Sequence, residues 1–176
     1  VLRCAAVRRR GCRWCGWRGG GVAVNDAVRE RFDALVAEAI DNLPDSLRDL
    51  IDEVPVIVLD EPTAEMLRDL EMKPEEAAEL CGLHSGTPFT EPGLDRADHA
   101  ASSASPALAS IHLFRRGILH MALDKPGQPP AATLPEWPET DDADDAVYSE
   151  IEVTLLHEIG HQFGLDEDDL ERLGYD

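Results

Sequence analysis

Near its C-terminal end the chain reads Leu155-Leu156-His157-Glu158-Ile159-Gly160-His161, which sets two imidazoles four residues apart with a carboxylate directly after the first. On an α-helix four residues advance about 400° around the axis and about 6 Å along it. Both rings therefore leave nearly the same face, close enough to share one tetrahedral ion. Glu158 stands roughly 100° away around the same helix. From there it can flank a metal without entering its coordination sphere, and accept a proton from water that the metal has activated. The pattern is HExxH, and the chemistry it points to is metal-assisted hydrolysis.

Two ligands do not make a catalytic site, which typically keeps three protein ligands and one open position. Gly164 follows His161 by three residues, where a glycine can take positive φ and turn the chain sharply out of a helix. Beyond it lies Leu165-Asp166-Glu167-Asp168-Asp169. A carboxylate carried back toward the metal by that turn would complete the set.

The motif needs a rigid support. From Ala146 onward Val147, Ile151, Leu155 and Ile159 recur every fourth residue, an apolar stripe that predicts a helix with the motif near its end. Before it, a loop from Lys125 to about Asp145 holds five prolines and ends in aspartates that suit a helix N-terminus. Asn25 or Asp26 can cap a first helix whose apolar positions run from Val28 to Leu43, with Pro44 ending it. A helical turn over Ser46 to Ile51 leads to a β-branched run, Val54 to Leu59, that reads as a strand, and Pro55 places it at a strand beginning or a sheet edge. Thr63 to Leu70 can form another helix. Residues 86–107 read as a long mobile loop. Ile111 to Phe114 read as a strand, Arg115-Arg116-Gly117 as a turn, and Ile118 to Leu123 as either a return strand or a short helix. His84, His99, His112 and His120 lack ligand spacing and are expected at the surface or in loops, and Cys81 as a small buried apolar residue.

The string HEIGHQFGLDEDDLERLGY, with the earlier VPVIVLDEPT and LHSGTPFTE, resembles the small bacterial zincin-like metallopeptidases, minimal zincins with an HExxHxxGxxD motif. The resemblance runs from about Asp26 to the end of the chain. It implies an α+β domain with the catalytic helix packed on a small mixed sheet, and Zn2+ held by His157, His161 and the last motif carboxylate, with Glu158 as base. The family's aspartate is replaced by Glu167, one methylene longer and flanked by Asp166 and Asp168, so Glu167 takes the third ligand position with Asp166 in reserve. Only nine residues follow Glu167, which leaves no sequence for the methionine turn of metzincins. The implied activity is peptide-bond hydrolysis on a peptide or protein substrate. A substrate strand would add to a sheet edge near the helix, for which Ser110 to Phe114 is the candidate. The rival readings are a non-catalytic zincin-like module that binds peptides or proteins, and a structural protein whose histidine face is plain packing.

Charge narrows the partners. The chain carries 36 acidic against 16 basic side chains, and six of those basic ones are arginines within residues 1–20, where no carboxylate occurs. The remainder is strongly anionic, which argues against nucleic acid and favours basic or neutral peptides. Residues 1–22, Arg-rich with three cysteines and a glycine run, read as a basic tail, either disordered or an upstream extension from a misplaced start, outside a single domain at 23–176. Cys12-x-x-Cys15 has no second CxxC to complete a structural zinc site. Arginines and glycines interrupt every apolar stretch of the tail, so no secretory h-region forms, and no run is long enough to span a membrane. The expectation is a soluble cytoplasmic protein.

Overall fold

The computed structural model describes residues 24–51, 53–86, 109–124 and 134–174. The basic tail, His99, nearly all of the loop expected at 86–107 and the first part of the proline-rich loop lie outside these residues.

Asn25 caps helix α1 (Asp26–Asp41), its side chain accepting from the Val28 amide at 2.9 Å. Helix α2 (Asp45–Ile51) leads into strand β1 (Val56–Leu59), and Thr63 caps α3 (Ala64–Asp69). A 3₁₀ turn at Pro74–Glu79 precedes strand β2 (Gly82–Ser85). Strand β3 (Ser110–Phe114) then runs directly into α4 (Arg115–Leu123). The long helix α5 (Asp141–Gln162) and short α6 (Glu167–Leu173) complete the chain. Among the described residues no helix is long and apolar enough to cross a membrane.

The three strands form one mixed sheet in the order β1-β3-β2, with β1 parallel and β2 antiparallel to β3. Pro55, which has no amide to donate, stands just before edge strand β1 and uses only its carbonyl, accepting from Ile111. Ser110 to Phe114 is the central strand and not the expected edge. The reason is its two buried faces: Ile111 and Leu113 join the main core, while Phe114 packs with Leu80 and Leu83 in a second cluster.

Two other expectations change. Arg115-Arg116-Gly117 is not a turn but the first turn of a helix that runs to Leu123, so of the two alternatives for Ile118 to Leu123 the helix forms; Arg115 through His120 are all buried, which an alternating strand with one wet face cannot provide. The buried guanidiniums are held by acids from α1 and from the end of β1: Arg115 bonds Asp33 at 2.5 Å and Asp60 at 2.9 Å, and Arg116 pairs with Glu61. The loop expected to reach Asp145 stops at Thr140, which caps α5 and leaves Asp141, Asp142 and Asp144 in its first turn, favourably placed for the helix dipole.

Helix α5 is the axis of the domain, packed against α1, α4, β2 and β3. Its stripe Val147, Ile151, Leu155 and Ile159 is at most 2% exposed. Each such side chain contributes about 1.5–3 kcal/mol through burial. Arg31 of α1 fixes the approach to α5, stacking over Trp137 at 4.1 Å and donating to the Pro138 carbonyl at 2.8 Å.

Candidate metal centre

The C-terminal turn of α5 ends in a Schellman motif. Gly164 has φ +80°, the Leu165 amide donates back to the Gly160 carbonyl at 3.0 Å, and the Gly164 amide to His161 at 2.9 Å. This reversal lays the start of α6 beside the last turn of α5. Leu170, fully buried, holds it there.

The turn brings Glu167 to the two imidazoles. His157 Nε2 and His161 Nε2 are 2.9 Å apart, and Glu167 Oε2 and Oε1 lie 3.7 Å and 3.6 Å from them respectively. Donors about 2.1 Å from a tetrahedral ion stand roughly 3.4 Å from one another. Among the described residues this is the one group of three or more His, Cys, Asp or Glu side chains close enough to share an ion. Asp166 is occupied otherwise: its carboxylate caps α6, accepting from the Asp169 amide at 2.9 Å.

His161 is oriented by its other nitrogen. Nδ1 lies 3.0 Å from the Leu165 carbonyl. A carbonyl only accepts, so Nδ1 carries the proton and Nε2 turns a lone pair toward His157 and Glu167. Burial pushes the His161 pKa down to about 4, the Leu165 bond opposing this and the His157 charge reinforcing it. The ring is therefore neutral at pH 7, the state a metal ligand needs.

Access is one-sided. His157 and His161 are buried, whereas the Glu167 side chain is 59% exposed, so the site opens at α6. Glu158 is fully buried on the neighbouring face of the helix, against β2, and neither of its oxygens meets a donor in good hydrogen-bonding geometry. Burial holds its pKa well above the usual carboxylate value; the His84 backbone amide offsets part of this, and the Glu167 charge adds to it. An orphaned buried carboxyl beside a cluster of N and O donors fits a site for a divalent cation, whose charge would favour the anion.

Sequence reading missed the environment of Glu158. His84, His112 and His120 are buried rather than at the surface, and His84 belongs to a strand, β2, that was not foreseen. Desolvation lowers the pKa of all three. Gly82 is also part of this wall, since a Cβ there would stand 2.6 Å from Glu158 Oε1. A signal was present in the sequence: Thr154, Glu158 and Gln162 are a polar row at the same fourfold spacing as the apolar stripe, and all three are fully buried.

A family model described as zincin-like metallopeptidase matches residues 51–127 and 132–175, beginning later than the expected Asp26 and so leaving α1 outside. No curated protein matches the chain at a significant level. The family match spans most of the chain and takes in β1, β2, β3 and the α5–α6 corner alike; the chain belongs to the zincin-like metallopeptidase family.

Proposed function

We propose that this protein is a zinc-dependent peptidase in which His157, His161 and Glu167 hold the metal and Glu158 is the general base. The observation that carries this reading is the cluster itself: two imidazole nitrogens and a solvent-facing carboxylate at mutual distances of 2.9, 3.7 and 3.6 Å, next to a buried carboxyl with no well-formed hydrogen bond. When bound, zinc supplies Lewis acidity toward the scissile carbonyl and a positive charge that lowers the pKa of nearby water and of Glu158. Glu158 then takes a proton from the attacking water and delivers it to the leaving amine, a transfer that contributes typically 10²- to 10⁴-fold. The His161–Leu165 bond keeps the ring from rotating as the charge around it changes.

The substrate is a peptide or protein segment that runs past β2, the outer strand on the side of α5. The anionic body favours basic or neutral sequences, a preference that weakens as salt is added.

Metal analysis of the wild type, Glu158→Gln and His161→Ala, with hydrolysis of a peptide library, tests the assignment. Glu158→Gln should keep one zinc and lose at least about 10²-fold in turnover, and His161→Ala should lose the zinc. Full turnover in the first variant, or stoichiometric zinc in the second, would refute the roles given. Zinc without hydrolysis in the wild type would point instead to a peptide-binding module.

A further inference from the structure

Helix α5 turns two different rows of polar side chains outward near its C-terminal end. His157 and His161 face Glu167, while Thr154, Glu158 and Gln162 lie along β2. On the strand, Gly82 and His84 are two residues apart and so share one face. Both meet the second row. A Cβ at position 82 would be 2.7 Å from Thr154 Cγ2 and 2.6 Å from Glu158 Oε1, and one step along the strand His84 Nε2–H donates to Gln162 Oε1 at 2.5 Å.

This seam is dry. Thr154, Glu158 and Gln162 are 0% exposed and His84 is 4% exposed. The Glu158 carboxylate has no strong hydrogen bond of its own, so its location depends on how β2 is set against α5. Apolar packing around it is non-directional and tolerates sliding. A hydrogen bond between His84 and Gln162, one helical turn beyond Glu158, does not.

We infer that His84 is a positioning residue for Glu158: bonded to Gln162, its imidazole locks the register of β2 on α5 and so holds the base beside the His157–His161 pair. This rests on the reading of Glu158 as the base. The competing explanation is that His84 and Gln162 only satisfy each other in the core. The two differ in what happens when both polar groups are removed, because replacing both partners by apolar side chains of similar shape restores stability while a one-sided change leaves an orphan.

The experiment uses zinc-loaded full chain and four variants: His84→Phe, His84→Gln, Gln162→Met and the double variant His84→Phe/Gln162→Met. Zinc content, Tm, kcat and KM are measured, on a substrate drawn from the peptide library. His84→Phe should keep its zinc, melt about 2–4 °C lower, and lose 10- to 100-fold in kcat with KM within twofold. His84→Gln, whose amide reaches the position of Nε2, should regain most of the turnover. The double variant should recover part of the Tm, Gln162 having a further contact that Met cannot replace, yet remain slow. Gln162→Met breaks the same bond from the helix side, and it carries the test should His84→Phe not fold. Wild-type kcat in His84→Phe or in Gln162→Met, or kcat returning together with Tm in the double variant, would overturn the positioning role alone. Zinc-loaded wild type that cleaves no peptide would instead overturn the peptidase reading, and this role with it.

Discussion

Replacing Gly82 by alanine adds one methyl group at the most crowded point of the α5–β2 seam. Its Cβ would lie 2.6 Å from Glu158 Oε1, 2.7 Å from Thr154 Cγ2 and 3.0 Å from Glu158 Cγ, where non-bonded carbons ordinarily stand about 3.5–4.0 Å apart. Something must retreat by roughly 1 Å. Thr154 is fully buried in the middle of α5 and can yield only if the helix moves, so the Glu158 side chain should give way. Overpacking of this kind costs about 1–3 kcal/mol, and relief of the backbone entropy of glycine in a strand returns roughly 0.5–1 kcal/mol. The net is a loss of about 0–2.5 kcal/mol, or a Tm lower by up to about 10 °C for a domain of this size. A 1 Å displacement of a catalytic group costs on the order of 10² in rate. Because the ligands leave the helix on its neighbouring face, zinc content should not change. Thermal melts, metal analysis and kcat on one peptide substrate measure all three. A variant that melts lower but turns over within threefold of wild type would show that the seat of Glu158 against β2 does not matter to the chemistry.

The metal-free protein should weaken in acid. His161 titrates near 4 when folded but near about 6.5 when unfolded, so the folded chain binds fewer protons and up to about 3 kcal/mol, fully present above pH 6.5, is lost as the pH falls toward 4. Buried His84, His112 and His120 act in the same direction, whereas Glu158, whose folded pKa is raised, opposes it; in Glu158→Gln, where that opposing contribution is gone, a urea midpoint that stays flat from pH 7 to 4.5 would contradict this. Ile151→Ala, which empties a fully buried position on the α5 stripe, should cost about 2–5 kcal/mol, seen as a lower urea midpoint at unchanged m-value. Gly164→Ala forces a side chain onto a backbone at φ +80° and should cost about 1–2 kcal/mol while weakening zinc binding in a chelator competition, because the same turn delivers Glu167; unchanged affinity would detach the turn from the metal site.

Much of this arrangement could be read from residue order, for reasons that are local. The His157–His161 proximity follows from helical pitch alone, the turn at Gly164 from the lack of a Cβ, and the cap at Asn25 from a side chain that reaches its own helix. The failures concern contacts between elements distant in sequence. β2 is only four residues long, one of them a glycine and one a histidine, so neither alternation nor β-branching marks it; it is a strand because β3 pairs with it and α5 covers it. Arg115 and Arg116 look like turn residues until Asp33, Asp60 and Glu61 arrive from α1 and the end of β1 to neutralise them. Burial of His112 and His120 follows likewise from the central place of β3 and the packing of α4 on α5, which no local pattern encodes.

Helix α5 also shows why an amphipathic reading undersells a catalytic helix in so small a domain. An amphipathic helix has one buried stripe and a wet face, yet here the stretch from His157 to Gln162 is buried on every side. Polar side chains in such a place are costly unless each is matched. His161 is matched by the Leu165 carbonyl at one nitrogen and by His157 Nε2 at the other, and Gln162 by His84. Glu158 is not matched in this way, its oxygens remaining without a well-formed partner, and neither is the Thr154 hydroxyl one turn earlier. A fold optimised only for stability would place a leucine or methionine there, since the site is closed, dry and lined by Gly82 and Thr154. That a carboxyl without a well-formed partner is buried beside three converging ligand atoms is the feature that packing alone does not explain and that proton transfer at a metal would.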